Sequence, residues 1–121
     1  MKIYVDTNVF LDYLLERKNK QGKDLSEPAF DLFRRTLSCK FHIIVSSHLI
    51  RELRGIVDLH DVTMLMTFLK KKIIKVEDEI KGKGDELHAL IAIKCGADRI
   101  VTRNINHFKE FSIQASTPEE L

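Results

Sequence analysis

Lys2-Ile3-Tyr4-Val5-Asp6-Thr7-Asn8-Val9-Phe10-Leu11 decides the fold: a short apolar, β-branched run stops abruptly at Asp-Thr-Asn and passes straight into helix-compatible sequence. A strand that hands over to a helix is the repeating unit of an open α/β sheet, whose ligands bind in the crevice outside the carboxyl ends of the strands. Asp6 therefore stands at a place for chemistry rather than for packing.

The same pattern recurs along the chain. Val9, Phe10, Tyr13 and Leu14 follow helical spacing, with Thr7 or Asn8 available as N-cap. Residues 18–24 hold no apolar side chain and read as a solvated loop. Ser26 as a cap and Pro28 in the first turn then open a second helix, carrying Phe30, Phe33 and Leu37 to about Cys39. His42-Ile43-Ile44-Val45 reads as a strand buried on both faces, followed by Ser46 and Ser47 as caps. In the next helix Leu49, Ile50, Leu53 and Ile56 line one side and Arg51, Glu52 and Arg54 lie off it. Residues 61–71 predict a helix with Val62, Leu65, Met66 and Leu69 inward, and residues 73–76 a third strand. The charged stretch 77–84 is a loop, and Asp85 opens a helix through Leu87, Leu90 and Ile91 that Gly96 terminates. Residues 99–102 form strand four, Ile113 adds an edge strand, and residues 117–121 make a terminal helical turn. Strands alternating with helices predict an α/β three-layer sandwich: a mainly parallel sheet of four to five strands with helices on both faces, in one domain spanning 1–121.

Composition bounds the function without naming it. At 121 residues and 44% hydrophobic content the chain can bury a sizeable core, and a formal net charge of +2 lacks the basic footprint that by itself announces a nucleic-acid binder. Two cysteines without paired spacing and no charged-then-apolar leader lead us to expect a cytoplasmic protein with buried thiols. No apolar run approaches the ~20 residues that span a bilayer, so no membrane partner is expected.

If all strands run parallel, Asp6, Glu52, Asp85 and Asn104 collect at one sheet edge, while Asp98, preceding strand four, lies at the opposite one. Carboxylates gathered at neutral pH repel, so either one keeps a proton or a cation sits between them. Oxygen donors suit Mg²⁺ or Mn²⁺, ions that support phosphodiester hydrolysis. Thr7, Asn8 and Thr102 are supporting candidates, and Arg51, Arg54, Arg103, Lys81 and Lys83 are candidates to line the approach for nucleic-acid phosphates. Asn104 reads equally as a turn residue. His88 is expected to pack or hydrogen-bond, and the five histidines show no ligand spacing with the cysteines, so no zinc site is expected. The scattered glycines lack the GxxxxGK[ST] phosphate loop, and Asn8 stands where a phosphoaspartyl phosphotransferase carries its second Asp.

Val-Asp-Thr-Asn-Val at 5–9, Arg-Glu-Leu at 51–53, Gly-Asp-Glu-Leu-His-Ala-Leu-Ile-Ala at 84–92, Gly-Ala-Asp-Arg-Ile-Val-Thr-Arg-Asn at 96–104 and the final Thr-Pro-Glu-Glu-Leu together resemble the PIN domain family, in particular the VapC-like toxins. That resemblance implies a metal-dependent endoribonuclease, the toxin of a toxin–antitoxin pair, frequent homodimers and a cognate antitoxin protein. Asp6, Glu52 and Asp85 match the family's first three acids as catalytic and metal-binding residues. The fourth acidic place is held by Asn104 or His107, neither a carboxylate. The alternative reading is thus a catalytically weak PIN domain serving as an RNA- or protein-binding module.

Overall fold

A computed structural model describes residues 1–38, 41–77 and 84–121, with Gly84 and Asp85 described through their helical backbone. In chain order the elements are β1 (Lys2–Val5), α1 (Thr7–Leu14), α2 (Ser26–Leu37), β2 (His42–Ser46), α3 (Ser47–Arg54), α4 (Leu59–Phe68), β3 (Ile73–Val76), α5 (Gly84–Lys94), β4 (Arg99–Val101) and β5 (Gln114–Ser116). Short 3₁₀ turns at Lys70–Lys72 and Ile105–Phe108 lead towards β3 and β5.

The sheet is wholly parallel, in the order β3-β2-β1-β4-β5. Strands after β1 grow first to one side and then to the other, so the order reverses between β1 and β4. At such a switch point the loops leaving two adjacent strands part company and open a crevice. The alternation of side chains along each strand divides the core. Ile3, Val5, Ile43, Val45 and Val101 face α1–α4, where they meet Phe10, Leu32, Phe33, Leu49, Leu53 and Leu65. Tyr4, Ile44 and Ile100 face the other way, against Leu87, Ala89, Ile91 and Ala92 of α5 and against Phe108. The expected three layers are present, and no helix among the described residues is long and apolar enough to cross a membrane.

Local chemistry moved several boundaries. Asp6, not Thr7 or Asn8, occupies the N-cap position of α1, and its side chain makes no capping bond. Ser26 is the first helical residue of α2, with Asp24 Oδ1 accepting from both its N–H and its hydroxyl. Helix α4 begins at Leu59 because Asp58 accepts from His60 N at 3.0 Å. It gives way after Phe68 to a 3₁₀ turn where continuous helix was expected. Ile56 lies beyond the end of α3 and is 58% exposed, and Leu90 stands outside the buried face that α5 forms with Leu87, His88 and Ile91. Gly96 ends α5 at φ +72°, as expected, with Ala97 N donating to Ala92 O. The chain terminus forms a hydrogen-bonded turn rather than a helix. Cys95 is half-buried, not buried, and Cys39 lies outside the described residues.

Candidate functional site

Asp6 leaves β1 and Thr102 leaves β4, so the two residues flank the switch point. Asp6 N donates to Val101 O at 2.9 Å, which continues the β1–β4 pairing by one residue. Thr102 Oγ1 donates to Asp6 Oδ2 at 3.0 Å and itself accepts from Asn104 N at the same distance. Asp6 is 1% exposed and Thr102 fully buried. At this depth, at the end of a central strand, desolvation opposes a charge on the carboxyl unless partners offset it. Asn104 serves this arrangement through its backbone amide, which orients the Thr102 hydroxyl.

Glu52 approaches from α3. Ser46 caps that helix by accepting from Leu49 N, which sets the phase of the first turns and turns Glu52 towards Thr7. Thr7 Oγ1 donates to Glu52 Oε1 at 2.6 Å. Thr7 directly follows Asp6 in sequence, so Glu52 is tied to the residue next to Asp6. Asp85 stands at the second position of α5, on the layer opposite α3. Asp98 accepts from Lys2 N at 2.8 Å, which places it at the amino end of β1, the far edge.

Two histidines adjoin Glu52, of which His48 was not anticipated. His88 Nε2 lies 2.5 Å from Glu52 Oε1 and 3.1 Å from Thr7 Oγ1. His88 Nδ1 lies 2.6 Å from the Tyr4 hydroxyl, which in turn lies 2.8 Å from Ser46 Oγ. Each hydroxyl in this row can donate in one direction and accept in the other. Proton donation can therefore run unbroken from Ser46 through Tyr4 and His88 to Glu52. His48 adds its Nε2 at 3.6 Å from the same carboxylate oxygen. Burial pushes the Glu52 carboxyl up, but the Thr7 hydrogen bond and the adjoining His88 and His48 outweigh it, so the group sits below its ordinary range. His88 packs and hydrogen-bonds as expected; the missed signal was the four-residue spacing of His48 and Glu52 on one helix.

The basic candidates divide. Arg51 and Arg54 are exposed on α3. Arg103 spans two carboxylates instead, donating to Asp12 at 3.1 Å and to both oxygens of Glu119 at 3.0 and 2.6 Å. Asn8 is held by Arg17, whose Nη2 donates to its backbone oxygen at 3.1 Å. Lys81 and Lys83 lie outside the described residues. Chemically, the edge offers a buried carboxylate at Asp6, a half-buried one at Glu52, and hydroxyl and imidazole groups that orient them. Oxygen donors of this kind suit a hard divalent cation.

No protein-family model matches the chain, and neither does any curated protein. Among solved structures it is similar to a chain in the crystal structure of VapBC2 from Rickettsia felis bound to a DNA fragment from their promoter. The TM-score is 0.65 at 18% identity, covering 97% of this chain and 98% of that one. At that identity the likeness is one of fold.

Proposed function

We propose that this chain is a Mg²⁺- or Mn²⁺-dependent endoribonuclease of the VapC-like kind, the toxin of a toxin–antitoxin pair. The observation that carries this reading is Asp6, a buried carboxylate at the switch point whose Oδ2 is held by Thr102, with Glu52 bonded to the next residue, Thr7. Asp6, Glu52 and Asp85 would hold the cation, which supplies charge neutralisation at a phosphate and a lowered water pKa. The chain's own groups do the positioning. Thr102 fixes the Asp6 carboxylate from one strand, Thr7 orients Glu52, and the exposed Arg51 and Arg54 on α3 offer contacts to the RNA backbone that do not read sequence.

The fold shared with a VapBC2 chain supports an antitoxin as protein partner. Met64 and Phe68, one turn apart on α4 and 60% and 48% exposed, support a homodimer through that helix. A second reading has its own observation. Asn104 supplies no carboxylate and Glu52 Oε1 already accepts from Thr7, an arrangement that suits an RNA- or protein-binding module with little turnover.

The test is cleavage of a mixed RNA pool by folded wild type and Asp6→Asn, each with Mg²⁺, with Mn²⁺ and with chelator. Metal-dependent cutting by wild type alone is the expected result. Equal cutting by both proteins, or cutting that survives the chelator, overturns the reading; no cutting by either favours the binding module.

A further inference from the structure

Helix α3 and helix α5 lie on opposite faces of the sheet, yet their side chains meet over its carboxyl edge. His48 and Glu52 share one face of α3, and His88, 1% exposed, reaches them from α5. Their three ligand atoms all lie within 4.8 Å of one another, and the two imidazole centroids are 4.8 Å apart. Bonds of about 2.0–2.2 Å to one cation hold neighbouring donors roughly 3 Å apart. The 3.6 Å separation of His48 Nε2 from Glu52 Oε1 is close to that spacing. The 2.5 Å contact of His88 would open by less than about 1 Å to meet it.

The atoms behind His88 matter as much. A ligating imidazole needs its other nitrogen held, and here Nδ1 meets the Tyr4 hydroxyl at 2.6 Å, backed by Ser46. Reversing the hydroxyl row puts the proton on Nδ1, donated to Tyr4, and turns the Nε2 lone pair towards Glu52. Two acceptors facing each other repel until a cation separates them. Two imidazole nitrogens and one carboxylate oxygen form a donor set that suits zinc-like ions, whereas Mg²⁺ takes oxygen.

We propose that His48, Glu52 and His88 form a binding site for a borderline first-row divalent cation of the zinc type. The site needs nothing from the ribonuclease reading. Glu52 is common to this site and to the proposed Mg²⁺ or Mn²⁺ site, so the two compete for that carboxylate.

The experiment is titration of the chelator-stripped full chain with Co²⁺ alone, read by visible absorbance, for wild type, His48→Gln, His88→Gln and Asp6→Asn. Circular dichroism confirms folding, and His48→Gln decides alone if the buried His88 variant fails to fold. Wild type and Asp6→Asn are expected to develop the same band of nitrogen-ligated Co²⁺, with excess Mg²⁺ leaving it in place. Each histidine variant should weaken binding on the order of a hundredfold. No band in wild type, or wild-type affinity in folded His48→Gln, overturns the proposal. A band kept in His48→Gln and lost in Asp6→Asn assigns the ion to the oxygen donors, which overturns it while leaving the ribonuclease reading standing.

Discussion

Glu52 is where opposing effects on one residue can be weighed. Its burial favours the neutral form, but Thr7, His88 and His48 together favour the carboxylate more, so its native pKa lies below its ordinary value. The unfolded chain then binds this proton first as pH falls. The stability Glu52 contributes is present above its unfolded pKa and is lost as pH drops through the native one. Urea unfolding with chelator present should show a wild-type midpoint that falls through the carboxylate range more steeply than that of Glu52→Gln. Parallel pH slopes would sink the argument. Tyr4 gives a second prediction at this scale. Tyr4→Phe strips the His88 Nδ1 and Ser46 Oγ of a buried partner and should cost about 1–3 kcal/mol in the same assay. No sequence pattern marked Tyr4 as polar in role, because in a buried strand its ring reads as core. Its hydroxyl acquires meaning only from residues 42 and 84 positions away.

At the scale of elements, caps explain both what the sequence showed and where it misled. Ser46 was legible as a cap, since a serine directly after an apolar strand run has few other uses. Asp58 was overlooked in favour of Asp61, because the apolar spacing of α4 starts late and its first turn is largely exposed. The two caps should separate experimentally. Asp58→Ala should lower stability by about 1 kcal/mol and leave the proposed RNA cleavage unchanged, as its side chain caps α4 at His60 N. Ser46→Ala should cost a similar amount, about 1 kcal/mol from the cap, and also impair cleavage, because Ser46 sets the phase of α3 and supports Tyr4. Chemical denaturation with parallel RNA assays distinguishes them; equal losses of activity would contradict the division.

The whole molecule is tied together by contacts distant in sequence. Asp12 is 3% exposed and its carboxyl is pushed up by burial, although Arg17 and Arg103 pull it back. Arg103 joins it to Glu119, so one guanidinium fastens α1, the exit of β4 and the terminal turn. Arg103→Ala should destabilise by about 2 kcal/mol, since it leaves a buried carboxylate with one partner fewer. Proteolysis should then attack the terminal turn first; unchanged stability would show that Arg17 alone suffices. Phe33 stacks on Phe10 at 5.3 Å between α2 and α1, and Phe33→Ala should cost about 3–5 kcal/mol in thermal or urea unfolding. The sequence by itself determined the strand–helix alternation, hence a parallel sheet and the shared edge to which β1 and α3 deliver Asp6 and Glu52. Periodicity and capping are local properties, and the handedness of crossovers turns them into topology. Only the tertiary structure decided that Arg103 is taken up by carboxylates and that His48 and His88 converge on Glu52. Side-chain distances across layers depend on how helices pack over the sheet edge, which no local spacing encodes.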